Sequence, residues 1–181
     1  VQAGITSFLV RNLEQIGLLG SILPGAEIVT DANLYCWNSK AFQMLKTIIG
    51  KCGLKLLKVT YPYELTVNEI NKIYTDCDME LVRSTYIPVM VSKQCVRKTY
   101  GLCDGAGSVT VLKDRNRGRS YNVLSKCDYC YSLMLNSQKL DVPYDSSIIG
   151  DISPDYLRTE YNFPKESVQN IDRKSDSSGK E

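Results

Sequence analysis

Four cysteines, Cys95, Cys103, Cys127 and Cys130, crowd into one stretch of a chain that contains no histidine. Seven residues separate Cys95 from Cys103, twenty-three separate Cys103 from Cys127, and two separate Cys127 from Cys130. Thiolates are soft ligands, and a Cys-x-x-Cys turn lets two of them meet on one ion. With two more upstream, four donors are available, which suits tetrahedral zinc or a four-iron cluster. Spacing leaves both open. The missing imidazole removes the commonest general base and metal ligand. Ser-His-Asp, Cys-His and His-Glu-x-x-His machinery is therefore absent unless a histidine comes from outside this chain.

The remaining cysteines, Cys36, Cys52 and Cys77, lie among apolar neighbours and read as buried, reduced thiols. Seven cysteines is an odd number, and no secretion signal opens the chain. Disulfides are not expected, and a cytoplasmic setting is. Net charge is +2 but unevenly spread. Residues 93–126 carry eight basic and two acidic side chains, so the basic patch coincides in sequence with the cysteines. One reading is a solvated turn over 114–119. The other is attraction of an anionic substrate, RNA phosphates included, with Lys98, Arg115 and Arg117 as contacts.

These residues need elements to hold them. Short apolar strands are expected at Ile5–Val10, Glu27–Thr30, Leu56–Thr60 and Met79–Arg83. Between them come helices capped by Asn12, by Ser39 and by the Thr66-x-x-Glu69 capping box, the last helix running through Ile70 and Ile73. This is the βα rhythm of a parallel α/β sheet, half of a TIM-barrel-like fold or part of an open sheet. After Pro88 the rhythm breaks. Val109–Leu112 and Ser120–Leu124 read as a β-hairpin with two cysteines on each flank. The expected divisions are a half-barrel over 1–92, a cysteine-bearing hairpin region over 93–145, a closing strand (157–163) and helix (166–171) over 146–173, and a disordered tail over 174–181. The chain opens on Val and enters a strand directly, which reads as an internal start. No apolar run is long enough to cross a bilayer.

Other residues can be weighed one by one. Glu64 follows the third strand and Asp31 and Asn33 the second, where a barrel's active-site rim would be, so Glu64 and Asp31 are the catalytic candidates. Asp114 and Arg115 are expected to orient the hairpin, and Asn136 to hydrogen-bond in a turn. Trp37 is expected to be packed. The twelve tyrosines form no cluster in sequence that would serve as a stacking platform.

Several segments together resemble the collagenase-like peptidases, family thirty-two of the unknown-mechanism peptidases. Tyr86-Ile87-Pro88-Val89-Met90-Val91-Ser92-x-x-Cys95 is similar to that family's Pro-Leu-Met-Val-Ser-x-x-Cys block, and Leu112-Lys113-Asp114-Arg115, Cys130 and Asn136-Ser137 follow in the family's order. Phe8–Leu13, Asp31-x-Asn33-Leu34-x-x-x-Asn38 and Tyr63-Glu64-Leu65 resemble its barrel segments, and Leu157-Arg158 with Phe163 the region beyond, so the likeness runs over roughly residues 4–170. Where the family has Gly-Arg before the proline, this chain has Thr85-Tyr86-Ile87. The resemblance implies a TIM-barrel-like fold whose amino-terminal half would be a partner missing here. It also implies a peptidase label, or oxygen-independent hydroxylation of RNA or a small aromatic substrate. It further implies a four-iron cluster on Cys95, Cys103 and Cys130, with Cys127 as the fourth ligand.

Overall fold

The computed structural model describes residues 4–161 and the backbone of Val168–Gln169. By its contacts the chain forms two units: residues up to Ser84 together with Asp141–Glu160, and the segment from Thr85 to Leu140 with the residues after Glu160.

The first unit is a parallel sheet with helical crossovers. β1 (Ser7–Val10) leads to α1 (Leu13–Ile22), whose cap Asn12 accepts from the Gln15 amide at 2.9 Å while Gln15 Oε1 accepts from the Arg11 amide. β2 (Glu27–Thr30) and a 3-10 turn (Ala32–Leu34) precede α2 (Ser39–Lys51). Its cap is Asn38, which accepts from the Lys40 and Ala41 amides, one residue before the expected Ser39. The Ser39 hydroxyl instead accepts from the Tyr74 amide. Gly53, just beyond α2, takes a left-handed φ of 70° and lets the chain turn into β3 (Lys55–Thr60). The Thr66–Glu69 capping box starts α3 (Val67–Ile70), which stops short of the expected Ile73. β4 (Asp78–Thr85) follows.

The chain rejoins this unit at Asp141, the last residue of β9 (Leu140–Asp141), forms α5 (Ser147–Ile152), and adds β10 (Tyr156–Thr159) beside β4. The strand order β1-β2-β3-β4-β10 is chain order, and every pair is parallel, giving a curled half-barrel sheet. Helices cover one face. Ile16 and Ile49 pack on Val10 and Ile28, and Phe42, Leu45 and Ile70 pack on Val59, Tyr61 and Met79. Alternation along the strands sends Lys58, Thr60 and Glu80 to the other face.

The second unit is a mostly antiparallel sheet. Its strands are β5 (Pro88–Ser92), β6 (Ser108–Asp114), β7 (Arg119–Lys126), β8 (Tyr131–Asn136) and β11 (Val168–Gln169), in the order β11-β6-β7-β8-β5. A single turn of helix, α4 (Val96–Thr99), follows β5. Its core is Val109, Leu124 and Leu135 with Tyr86 and Leu133 against them. Asn136 does hydrogen-bond through its backbone, donating to the Ile87 carbonyl at 3.0 Å, but from the end of a strand rather than a turn. Residues 168–169 are strand, not the helix expected over 166–171, and the rest of that helix and the tail lie outside the described residues.

Candidate functional site

The four clustered cysteines sit at one end of the second unit's sheet, each on a short irregular piece. Cys95 immediately precedes α4. Cys103 lies on the loop before β6. Cys127 opens the 3-10 turn Cys127–Tyr129 directly after β7, and Cys130 closes it in a left-handed conformation with φ of 51°. All four line a single cavity of about 130 Å³, together with Lys93, Lys98, Ser125 and Lys126. Cys127 Sγ donates to the Ala106 carbonyl at 3.2 Å, and Cys130 Sγ to the Cys127 carbonyl at 3.6 Å.

Beneath the thiols runs a row that sequence reading overlooked. Ser108 is paired with Ser125, Ser125 with Ser132, and Ser132 with Ser92, so four serines stand in register across four strands. Directly opposed residues project from the same face. Cys95 Sγ lies 3.8 Å from Ser125 Oγ. Ser108 Oγ and Ser132 Oγ are buried without a hydrogen-bond partner. Such hydroxyls are costly to leave unpaired, and sulfur ligands of a metal commonly take hydrogen bonds from this kind of donor. The pairing signal was present in the sequence only as isolated serines.

The thiols differ in acidity. The Lys98 amide, then the Ser125 hydroxyl and the Arg97 amide, stabilise the Cys95 thiolate and hold its pKa below the usual thiol range. Burial, then the nearby Cys103 and Cys95 thiolates and Asp104, push Cys127 upward. Sulfurs near enough to repel one another when ionised are relieved by a cation among them. Donor type, cavity and orphaned hydroxyls all suit a thiolate-bound metal or cluster. Among the described residues, no group of three or more His, Cys, Asp or Glu side chains is placed so as to hold a metal ion.

The basic residues divide. Lys93, Lys98 and Lys126 border the cavity. Arg97 does not contribute free charge, because it pairs with Asp104 at 2.9 Å. Arg115 and Arg117 are exposed on the β6–β7 turn, where Asp114 Oδ1 accepts from the Asn116 and Arg117 amides and shapes the bend. That turn is at the opposite end of β6 and β7, roughly 20 Å from the serine row at about 3.3 Å per residue. The patch that is continuous in sequence is therefore split in space.

The first unit holds a second polar cluster, at the carboxyl ends of its parallel strands. Asp31, just past β2, is 2% exposed. Its Oδ1 pairs with Arg158 Nη2, and its Oδ2 with Arg11 Nε at 3.1 Å and Asn33 Nδ2 at 3.3 Å. Arg158, on β10, also lies 3.0 Å from Glu80 and 3.0 Å from Glu160. Thr60 donates to Glu80 at 2.9 Å, and Lys58 stands 3.9 Å from it. Burial opposes the charge on Arg158, yet Asp31, Glu80 and Glu160 hold its pKa above the usual value. The Tyr63 phenol is pushed up by burial and by Glu160 and Asp31, so it stays a donor.

Both oxygens of Asp31 are thus engaged, and the arrangement positions side chains on three strands rather than freeing a carboxylate. Glu64 is exposed on the turn after β3. Arg158, Glu80, Glu160 and Tyr63 were not singled out from the sequence. Tyr63, Glu80 and the Arg158–Glu160 pair are far apart along the chain, and no spacing rule links them.

Trp37, expected to be packed, is 44% exposed and stacks on Tyr35 with ring centroids 6.2 Å apart. Among the described residues no helix is long and apolar enough to cross a membrane. No family model, curated protein or solved structure matches the chain.

Proposed function

We propose that this chain is the cofactor-bearing part of an enzyme, with Cys95, Cys103, Cys127 and Cys130 holding an iron–sulfur cluster. The observation that carries this reading is that four thiols, spread along the chain on both flanks of a hairpin, line one cavity. That cavity is about 130 Å³. When bound, such a cluster supplies one-electron chemistry. The chain's own residues would hold it with four thiolates and balance their charge with Lys93, Lys98 and Lys126. The Ser125 and Ser132 hydroxyls would be aimed at the sulfurs.

The resemblance to collagenase-like peptidases gives hydrolysis as the family label. Peptide hydrolysis needs an activated nucleophile or an open metal position. A histidine-free chain with a four-thiolate donor set favours the other activity that the resemblance implies, oxygen-independent hydroxylation of RNA or a small aromatic substrate. The half-barrel sheet would be completed by a partner half, and Lys98 at the cavity would draw an anionic substrate.

Anaerobic reconstitution with iron and sulfide tests the cofactor. The expected product is brown, with iron and labile sulfide in equal amounts and a broad visible absorption that Cys95→Ala and Cys130→Ala each abolish. A colourless, iron-free protein would contradict the proposal. Stoichiometric zinc in its place would point to a structural, non-catalytic site.

A further inference from the structure

We propose that Tyr35 and Trp37 form a stacking platform for a nucleobase, at the carboxyl end of the first unit's parallel sheet. Single exposed apolar side chains are ordinary on protein surfaces. This pair differs in how firmly it is held out. Tyr35 is 51% exposed and Trp37 44% exposed, with their rings stacked at an interplanar angle of 21°. Between them Cys36 is 2% exposed and packs into the core beside Phe42 and Tyr61. The Trp37 amide donates to the Tyr35 carbonyl at 2.8 Å, closing a tight turn about that buried cysteine. The Tyr35 amide donates to the Ala32 carbonyl at 3.0 Å. Asn38 then caps α2, so the segment is tied at both ends.

Tyr35 reaches this position with φ of 50° and ψ of 55°, a left-handed conformation that a bulky residue rarely adopts. Backbone outliers of this kind concentrate at ligand sites. The two rings already lie within 21° of parallel, a pre-set face that would lower the entropic cost of stacking a third ring on them. Every nucleobase offers such a face. Lys40, exposed three residues beyond Trp37, adds a cation suited to a ligand that also carries phosphate or carboxylate. The site uses none of the cysteine ligands, so it stands or falls independently of the cluster.

Trp37 is the chain's single tryptophan, so its fluorescence reports this place alone. The full chain is titrated with adenosine monophosphate, with a short single-stranded oligoadenylate, and with ribose 5-phosphate as a ring-free control. Saturable quenching by the ring-bearing probes but not by ribose 5-phosphate is expected. Quenching by the free nucleotide identifies a site for a lone ring, and quenching by the strand alone identifies an unpaired base in a chain.

Tyr35→Gly removes one ring while suiting the left-handed backbone, so folding is kept. It should weaken binding roughly fivefold to a hundredfold, and Tyr35→Phe should restore it. No quenching by either ring-bearing probe would overturn the proposal. So would equal quenching by ribose 5-phosphate, or undiminished binding in a stably folded Tyr35→Gly.

Discussion

At the scale of single residues, the cysteines divide by environment. Cys95 receives amides and hydroxyls and ionises below the usual thiol range, whereas burial raises Cys36 and Cys77 to about 11. Iodoacetamide labelling of metal-free protein, mapped by mass spectrometry, should modify Cys95 first and at the lowest pH, with Cys36 and Cys77 last. These two thiols, Cys36 buried and Cys77 only half-buried where burial was expected, also make stability fall with rising pH. Unfolding lets them ionise near the ordinary value of about 8.5. The native state therefore holds protons that the unfolded chain has lost, and the contribution disappears between about pH 8.5 and 11. Urea unfolding midpoints across that window should fall.

Arg158 is the other informative residue. Removing it leaves Asp31, Glu80 and Glu160 facing one another with their shared cation gone. Arg158→Met should cost about 3–5 kcal/mol in denaturant unfolding, far more than loss of a surface pair. A cost below about 1 kcal/mol would mean that the cluster is solvated. Asp31 was singled out in the sequence for its place after β2, yet what it does depends on Arg158, 127 positions away. Composition and local spacing carry no trace of such a link. Trp37 shows the same limit, since its residue type predicts packing and its 44% exposure is visible only in the folded chain.

At the scale of elements, glycines in one helix separate propensity from packing. Gly17 and Gly20 both lie in α1. A Cβ on Gly17 meets nothing within 4 Å, but one on Gly20 would stand 2.6 Å from the Cys52 carbonyl oxygen and 2.8 Å from Cys52 Cβ. Alanine gains up to about 1 kcal/mol over glycine in a helix. Gly17→Ala should therefore raise the Tm, and Gly20→Ala should lower it by prying α1 from the end of α2. Thermal unfolding of the two variants checks both signs.

The parallel strands and caps were legible because their causes are local. β2 spans the expected Glu27–Thr30, and the Thr66–Glu69 box caps a helix. The shift from Ser39 to Asn38 as the cap of α2 is a choice between two neighbouring good cap residues, decided by which one reaches the free amides. β8 was missed as a strand. Its residues Tyr131–Asn136 follow the Cys-x-x-Cys turn, and only pairing with β7 and β5 explains why they extend. The serine row needs three registers at once and is invisible before strands are paired.

At the scale of the molecule, the first unit's sheet has two ends. β1 and β10 each pair on one side along the five-strand path. Beside β1, Leu9, Leu13, Leu18 and Ile22 are 43–59% exposed. A parallel sheet is ordinarily covered on both faces, and its open edge seeks a partner strand. This fits the proposed completion by another half. In the proposed function the second unit supplies the chemistry, through four sulfurs sharing one centre. X-ray absorption at the metal edge of anaerobically prepared protein reads that directly. The account predicts iron surrounded by about four sulfur atoms near 2.3 Å with a short iron–iron distance, lost in Cys127→Ala and Cys130→Ala. A shell of oxygen or nitrogen alone, or iron that survives removal of these cysteines, would contradict it.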